Sequence, residues 1–378
     1  MSEPFKNNFN APVIRAMAKH LARAMPEFDE QGFIDFAIHG LEQRELKQRA
    51  DRITDALERH LPQDFPTAAK ILVESLEPAS DQPTSTFEST PNDHGIRGWA
   101  VMPMAEYIAR RGQGDVALSL DTLKAMTSRF SSEFAVRPFL ANHPVQTLET
   151  FSTWTTDSDE HVRRLVSEGA RPRLPWGMRL HAFVADPSAV VTLLEALKDD
   201  PSEYVRRSVA NNLNDIAKDH PDLVAEIAQN WMIDASTERQ RLVRHGLRTL
   251  IKSGHVNALQ ALGYGPAQIE VKDFSLSTPQ VILGDALNFH IEIVSTSKSH
   301  QPLVIDYAVH HMRANGETTP KVFKWKIVRL NAEASLTAAK RHVIKPITTR
   351  RYYPGLHRVE AIINGKSVAS ADFELLVE

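Results

Sequence analysis

The first two thirds of the chain carry apolar residues at intervals of three and four positions. Val13, Ile14, Met17 and Leu21 show this spacing, which places them on one face of a helix. The spacing recurs as far as about residue 265, and the alternation typical of strands is scarce over the same stretch. The pattern therefore predicts a largely helical region.

Beyond residue 268 the pattern changes to short β-rich runs separated by Ser, Asn, Gly and Pro. Apolar and polar residues alternate over 289–294, 303–307 and 357–362, as they do in strands with one buried face. Six or seven such strands in about 110 residues predict an immunoglobulin-like β-sandwich. We therefore expect two domains, residues 1–268 and 269–378. The runs themselves span residues 281–296, 303–313, 322–330, 357–365 and 371–378.

Four segments of the helical region share a motif in which a helix begins around Val-Arg or Val-Arg-Arg. They cover residues 135–140, 161–166, 204–209 and 241–247, and their valines lie 26, 43 and 38 residues apart. A repeat of about 40 residues is typical of HEAT-type helical pairs, which stack into a solenoid with a concave binding face. The predicted fold class is thus α then β: a HEAT-like α-helical solenoid followed by an immunoglobulin-like β-sandwich.

Composition excludes several kinds of site. The chain has no cysteine, which rules out disulfides, thiolate zinc sites and cysteine nucleophiles. No histidine spacing fits a metal site and no glycine-rich phosphate loop occurs, so we expect no metal and no cofactor. No apolar run reaches the roughly 18 residues that span a bilayer, and the first residues lack the features of a secretory signal. We therefore expect a cytoplasmic protein.

The net charge of −3 at pH 7 by itself argues against a nucleic-acid partner. That total averages two unlike parts, because residues 271–378 have a balance of +4 and residues 1–270 a balance of −7. Even in the acidic part, residues 161–180 hold five arginines and one glutamate. We expect the acidic surplus on the outer helices and in the long loop predicted over 77–95.

The segment 160–180 forms a basic patch with an indole, Trp176, inside it. Arginine forks bind phosphates in a planar, bidentate manner, and an indole offers a flat surface to a sugar or base. The alternative is that such arginines cap helix ends and pair across repeats. The arginines of the patch are Arg163, Arg164, Arg171, Arg173 and Arg179.

Three carboxylates lie close to these repeat motifs. Glu133 is at the start of a predicted helix. Glu168 lies near a helix end, where a negative charge needs a compensating positive one. Asp215 follows Arg207 and Asn211 at steps of four residues. Facing one groove together, they would stabilise a cationic transition state. The alternative for each one alone is ordinary pairing with the helix dipole.

Three blocks carry a resemblance to a known family: SSEFAVRPFL at 131–140, DEHVRRLVSEGARPRLPWGMRL at 159–180 and VRRSVANNLNDIAKDHPD at 205–222. The chain resembles the AlkC group of bacterial DNA alkylation repair proteins, HEAT-like repeat glycosylases related to the AlkD group. Part of that group also carries a C-terminal immunoglobulin-like domain. The resemblance implies a monofunctional glycosylase of base excision repair, which releases cationic bases such as 3-methyladenine and 3-methylcytosine without extruding them.

The resemblance also implies site residues and partners. Catalytic carboxylates are expected at Glu133, Glu168 and Asp215. The expected partner is double-stranded DNA containing alkylated bases, bound by a monomer with no membrane and no obligatory protein partner. The residues expected to contact DNA are Arg137, Trp154, Arg163, Arg164, Arg171, Arg173, Trp176, Arg179, Arg206, Arg207 and Asn211.

Elementary chemistry agrees with this expectation. A methylated ring nitrogen makes the base cationic and a good leaving group, so no general acid is required, while the sugar approaches an oxocarbenium ion that carboxylates stabilise. Two alternatives stay open. A protein-binding scaffold would have an apolar or acidic groove, and a non-catalytic damage sensor differs from an enzyme only through the three carboxylates.

The β-rich domain offers a second basic region. Ten lysines and arginines lie within residues 321–358, and we expect some of them to contact the backbone of a DNA duplex. The alternative is scattered charge that keeps strand faces soluble. For Trp154, which lies beside the acidic turn before Arg163, the alternative is aromatic packing between repeats.

Overall fold

The computed structural model describes residues 4–78, 91–347 and 350–377. Within these ranges sixteen α-helices precede eight β-strands, and the chain divides into two compact units, Met1–Ile216 and Ala217–Glu378. The long loop predicted over 77–95 falls partly outside the described residues, at 79–90. The predicted fold class, helical and then immunoglobulin-like, is confirmed.

The first unit is built of helices, several of which are capped at the N-terminus by a polar side chain. The side chains of Asn10, Asp29, Asp64 and Asp115 each accept a hydrogen bond from a backbone N–H of the first helical turn. Short 3₁₀ helices cover Phe5–Asn8, Gly98–Ala100 and Gly112–Gly114. The α-helices are α1 (Ala11–Ala24), α2 (Glu30–Ile38), α3 (Leu46–His60), α4 (Phe65–Glu74), α5 (Val101–Arg111), α6 (Val116–Thr127), α7 (Arg137–Asn142), α8 (Pro144–Trp154), α9 (Glu160–Gly169), α10 (His181–Ala185), α11 (Ser188–Leu197) and α12 (Glu203–Ile216).

Two successive helix pairs stack in the manner of helical repeats. Helix α8 contacts α9 within one pair and α11 contacts α12 within the next, while α8 also contacts α11 and α9 contacts α12. The Val-Arg-Arg motifs begin α9 and α12, so Val162 and Val205 are buried at matching positions. This stacking brings the polar ends of α9 and α12 beside each other.

The second unit contains the last four helices and the β-sandwich. Its helices are α13 (Pro221–Trp231), α14 (Thr237–Gly246), α15 (Arg248–Ser253) and α16 (Val256–Ala261). Its strands are β1 (Ile269–Leu276), β2 (Gln280–Ile282), β3 (Ala286–Ser295), β4 (Gln301–Met312), β5 (Thr318–Leu330), β6 (Ser335–Val343), β7 (Gly355–Ile363) and β8 (Lys366–Leu376).

The strands form two sheets around an aromatic and aliphatic core. One sheet has the order β1-β3-β6 and the other the order β2-β8-β7-β4-β5; their neighbours pair antiparallel, except that β2 runs parallel to β8. Leu287, Phe289, Tyr307 and Phe373 lie in the core, at the alternating positions expected of half-buried strands.

The predicted strand runs missed β1 and β6. Both are outer strands of the three-stranded sheet, and neither alternates regularly. The alternation of β1 is interrupted by a shift in register between Val271 and Asp273. In β6 only Ala338 is buried. The runs that were predicted correspond to β2 with β3, β4, β5, β7 and β8.

The last helices pack closely on the sandwich within the second unit. Leu259 and Tyr264 form a small core with Val304 of β4. Gly254 and Gly365 both have positive φ, and a Cβ on Gly365 would lie 2.1 Å from the carbonyl oxygen of Gly254, so glycine is required there. The proposed domain boundary between 268 and 269 stays a prediction.

The described part of the chain contains no helix suited to crossing a membrane, since each one is too short or too polar for that. Nor do three or more histidine and carboxylate side chains come together there in a way that would hold a metal ion.

Candidate active site

A cavity of about 710 Å³ opens in the first unit. Its lining mixes aromatic and aliphatic groups with acids and arginines, and it includes two of the three predicted carboxylates, Glu133 and Glu168. Asp215 is not among the lining residues. The other side chains that define the cavity are Glu45, Leu46, Lys47, Trp99, Met102, Phe130, Ser131, Phe134, Arg164, Arg171, Leu174, Pro175, Trp176 and Tyr204.

The three predicted carboxylates are joined by two arginines into one continuous acid–arginine array. Arg164 Nη1 lies 2.5 Å from Glu133 Oε2, and its Nη2 lies 3.6 Å from Glu168 Oε2. Arg171 Nη1 lies 2.5 Å from Glu168 Oε1, and its Nε lies 2.7 Å from Asp215 Oδ2. The order along the array is therefore Glu133, Arg164, Glu168, Arg171, Asp215.

The array carries one more negative than positive group, and two of its carboxylates are buried. Glu168 is 5% exposed and Asp215 is 2% exposed. Burial acts to raise the pKa of Glu168, but the charges of Arg164 and Arg171 and a hydrogen bond from Ser208 outweigh it, and the pKa lies below its ordinary value of 4.5. These arginines supply the positive charge that a carboxylate at a helix C-terminus needs. Glu168 is therefore ionised at neutral pH.

Repeat stacking explains why these groups meet. Glu168 lies in the last turn of α9, with Arg164 one turn earlier, and Asp215 lies in the last turn of α12. Ser208 of α12 donates to Glu168 Oε2 at 2.6 Å, and Asn212 Nδ2 donates to the Ser167 carbonyl at 2.8 Å. The contact between α9 and α12 therefore sets the position of Glu168.

The placement of Glu133 differs from the predicted helix start. Helix α7 begins only at Arg137, and Glu133 lies in the turn before it. Pro138 at the second helical position and the turn-forming residues before it explain the late start. In that turn Glu133 Oε2 accepts hydrogen bonds from Ser131 Oγ at 2.8 Å and from Arg164.

Arg137, predicted to contact DNA, is instead fully buried under the loop that follows α9. Its Nε donates to the Met178 carbonyl at 2.7 Å, and its Nη1 donates to the carbonyls of Gly169 and Arg171 at 2.7 and 2.8 Å. Burial lowers the pKa of Arg137 to about 10, so it stays charged at neutral pH. It fixes the backbone on both sides of Arg171.

We expect Arg137→Met to destabilise the protein by about 3 kcal/mol, because it leaves three buried carbonyls without their donor. Urea unfolding at pH 7 measures this. Arg207→Met is the control, since Arg207 is exposed and its ion pair with Glu203 is worth at most about 1 kcal/mol. Equal stability of the two variants would contradict the bracing role of Arg137.

The loop held by Arg137 presents Trp176 at the cavity. The indole is 58% exposed, and its residue has a φ of 65°, a left-handed conformation that costs energy for any residue but glycine. Lys47 Nζ donates to the Trp176 carbonyl, and the ring of Phe5 meets the indole edge-on at 6.3 Å. The surrounding contacts therefore hold an exposed aromatic surface in place.

Arg163 and Arg206 both pair with groups in the turn before α12, and such structural pairing was the alternative to phosphate binding. Arg163 makes a two-pronged ion pair with Asp200 at 2.6 and 3.0 Å, which links α9 to the turn before α12. Arg206 Nη1 donates to the carbonyls of Asp200 and Pro201 at 2.6 and 2.9 Å. Both arginines brace the junction between repeats, and a contact of either with DNA stays a prediction.

The remaining predicted DNA contacts divide into buried and accessible positions. Trp154 is 4% exposed and stacks on Phe151 with ring centroids 5.4 Å apart, which fits aromatic packing between repeats. Arg179 and Arg207 are exposed, and Arg173 and Asn211 are half-buried. Arg164, Arg171 and Trp176 are the predicted contacts that line the cavity.

Sequence reasoning missed several lining residues. Tyr204, whose ring lies 5.2 Å from Arg164 Cζ, precedes the second Val-Arg-Arg motif as His161 precedes the first; their rings meet at 5.6 Å. Aligning the two repeats would have revealed this position. Lys47 and Trp99 lie far away in sequence, and no local pattern marks them.

Comparisons with known proteins agree with this architecture. A family model described as the C-terminal Ig-like domain of the uncharacterised protein YhaZ matches residues 270–377. The YhaZ protein of Bacillus subtilis strain 168 is 33% identical over 98% of this chain and 99% of its own length. The structure of the alkylpurine DNA glycosylase AlkC of Pseudomonas fluorescens, bound to DNA containing an abasic site analog, has a TM-score of 0.79 and 35% identity over 99% of this chain and 100% of that chain.

These matches define the class as helical DNA glycosylases that end in an immunoglobulin-like domain. Within that class, the chain belongs to the AlkC family of alkylpurine DNA glycosylases. The resemblance carried by the three sequence blocks is thereby confirmed.

Proposed function

We propose that this protein hydrolyses the N-glycosidic bond of cationic alkylated bases in double-stranded DNA, 3-methyladenine and 3-methylcytosine among them. The observation that carries the proposal is the acid–arginine array. In this array three carboxylates are linked to one another through ion pairs with two arginines. Two of the carboxylates, Glu133 and Glu168, face the cavity. Carboxylates repel phosphates and weaken DNA binding, so their presence in the cavity of a DNA-binding protein favours a catalytic role.

The charge of the array suits the reaction. Three carboxylates and two guanidiniums leave one net negative charge beside the place where the sugar becomes an oxocarbenium ion. Because the methylated base already carries its positive charge, it departs as a neutral molecule without a proton from the enzyme. Glu168, whose pKa is lowered, is suited to stabilise a cation and is unsuited to act as a general acid.

Glu133 is the best placed of the three to orient the attacking water. Within the described residues its hydrogen bonds all reach Oε2, from Ser131 and Arg164. Oε1 is left to accept from a water molecule in the cavity. Arg164 and Ser131 thus fix the carboxylate, and the free oxygen supplies the geometry for attack on the sugar carbon.

Asp215 acts through Arg171 in this proposal. Its Oδ2 accepts from Arg171 Nε at 2.7 Å, and Arg171 in turn holds Glu168 Oε1. We therefore propose Asp215 as a positioning residue that also contributes charge to the array, whereas Glu133 and Glu168 are the proposed catalytic residues.

The DNA partner is supported by the relative that was solved with DNA containing an abasic site analog. Trp176 lines the cavity and the exposed Arg179 lies three residues later in the same loop, and we expect the two to meet the sugar and the phosphates of a duplex. We propose that the lesion is attacked while it stays in the duplex, with selectivity derived from the charge of the base in place of a shaped base pocket.

The direct test is incubation of the purified protein with a methylated duplex, followed by chromatography of the released bases. We expect free methylated base and an abasic site in equal amounts. A damage sensor would bind the duplex and release nothing, and a protein scaffold would show no salt-dependent binding to DNA at all.

A further inference from the structure

Tyr204 lies in the first turn of α12, half-buried in the wall of the cavity. The guanidinium of Arg164 lies over its ring, with Cζ 5.2 Å from the ring centre, and the ring of His161 meets it edge-on at 5.6 Å. The face of an aromatic ring carries partial negative charge and attracts a guanidinium. The ring of Tyr204 is therefore placed to hold the guanidinium of Arg164.

Tyr204 belongs to a stripe of α12 that faces the acid–arginine array. The members of the stripe are Tyr204, Ser208, Asn212 and Asp215, at steps of four, four and three residues, which lie on one helix face. Ser208 donates to Glu168, and Asp215 accepts from Arg171. Tyr204 is the member of the stripe that contacts Arg164, so each side chain of the array on α9 and in the following loop has a partner on α12.

Arg164 is the group that joins Glu133 to the rest of the array. Its Nη1 donates to Glu133 Oε2 and to Ser131 Oγ at 2.5 and 2.8 Å, and its Nη2 lies 3.6 Å from Glu168 Oε2. Because the guanidinium is planar, a ring against its face restricts it without competing for the N–H groups that bind the carboxylates. Tyr204 can therefore act on both proposed catalytic residues through one arginine.

The ring of Tyr204, and not its hydroxyl, makes the contact with Arg164. Within the described part of the chain the hydroxyl forms no hydrogen bond, and burial raises the pKa of Tyr204, so the phenol is neutral wherever the carboxylates of the array titrate. Phenylalanine at this position would keep the contact, and an aliphatic side chain would lose it.

We infer that Tyr204 is a positioning residue of the excision reaction, whose ring keeps Arg164 on Glu133 and Glu168. The inference rests on the proposed function and deepens it. Burial acts to raise the pKa of Glu168, and the charges of Arg164 and Arg171 outweigh it. If loss of the ring loosens Arg164, the pKa of Glu168 rises.

The other charged groups around Glu168 are not altered by a substitution of Tyr204. They are Arg137, Arg171, Glu133 and Asp215. A shift in the titration of Glu168 would therefore report the position of Arg164.

The test compares Tyr204→Leu, which removes the ring, with Tyr204→Phe, which removes only the hydroxyl, in the full-length protein. Phe36→Leu is the matched control, because the ring of Phe36 also lies under a guanidinium, that of Arg52 at 3.5 Å, but is not part of the cavity. Single-turnover excision of 3-methylcytosine from a duplex is measured at saturating protein from about pH 8 to about pH 5, and urea unfolding from about pH 7 to about pH 4.

We expect Tyr204→Leu to excise about tenfold more slowly at pH 7, an effect typical of a partly desolvated cation–π contact. The rate of this variant should also decline at a higher pH than that of the wild type, because excision needs ionised Glu168. Tyr204→Phe and Phe36→Leu should match the wild type in rate and in pH profile. A wild-type rate in Tyr204→Leu, or equal slowing in the Leu and Phe variants of Tyr204, overturns the inference.

Urea unfolding separates this inference from the proposed function, because it needs no base release. A ring that only fills space would cost Tyr204→Leu the same free energy of unfolding at every pH. A ring that holds Arg164 on Glu168 gives a difference from the wild type that shrinks as the pH falls, since the ionised carboxylate is what loses its partner. If even the wild type releases no base, the proposed function fails, and a difference that stays constant with pH still overturns the inference.

Discussion

Arg171→Leu is expected to lower the free energy of unfolding by about 3–5 kcal/mol at pH 7, because it removes the cation between two buried carboxylates. Glu168 and Asp215 both lose a short ion pair with this side chain. Their desolvation is then only partly compensated, by Arg164 and Ser208 in the case of Glu168. Chemical unfolding of the variant and the wild type measures the difference.

The destabilisation should depend on pH with a definite sign. In the wild type the folded pKa of Glu168 is below 4.5, so its stabilising contribution is present above that pH and is lost as the pH falls through the folded value. Removing Arg171 raises the folded pKa of Glu168 towards what burial alone would give. The difference between variant and wild type should therefore shrink as the pH falls from about 7 to about 4.

Arg179→Leu is the matched control, because Arg179 is an exposed arginine of the same loop. We expect a change within about 0.5 kcal/mol for this variant. Two results would contradict the description of Arg171 as the central cation of the array. One is an Arg171 variant as stable as the control, and the other is a loss of unfolding free energy that grows as the pH falls.

Glu168→Gln is expected to slow single-turnover base excision by about 10²- to 10³-fold, the usual cost of removing one group that stabilises transition-state charge. The excision rate of Asp215→Asn should also lie clearly below that of the wild type, because Arg171 loses the partner that holds it on Glu168. Affinity for DNA should be unchanged or slightly higher in both, since each change removes a negative charge near the phosphates. The loss of activity therefore appears in the single-turnover rate constant for base excision, measured at saturating protein.

Glu149→Gln serves as the control for these variants, because Glu149 is an exposed carboxylate on α8 outside the cavity. It should excise at the wild-type rate. Wild-type rates in both Glu168→Gln and Asp215→Asn proteins that still bind DNA would remove the array from the mechanism.

Much of the fold follows from patterns that a single sequence displays. The three- and four-residue spacing marked the helices, and the repeated Val-Arg-Arg motif marked the stacking of α9 on α12. The strands that were missed, β1 and β6, lack regular alternation, because β1 has a shift in register between Val271 and Asp273 and β6 buries only Ala338. Their pairing partner, β3, was marked by buried residues such as Phe289 and Ile291.

The site was predicted in part, for physical reasons that differ by residue. The position of Glu168 at a helix C-terminus demanded a compensating cation, and Arg164 and Arg171 supply it. The role of Arg137 depends on carbonyls exposed by a loop conformation that the sequence does not encode locally. Trp154 was assigned to DNA although its neighbours place it in the core.

A carboxylate array that releases only bases already carrying a positive charge should distinguish a cationic base from a neutral one, and one pair of substrates tests this most directly. 3-Methylcytosine and 3-methyluracil have nearly the same shape and the same methyl group, but at pH 7 the first is a cation and the second is neutral. Single-turnover excision from otherwise identical duplexes should release 3-methylcytosine and leave 3-methyluracil in place. Equal rates on the two duplexes, or a preference for the neutral base, would contradict the account.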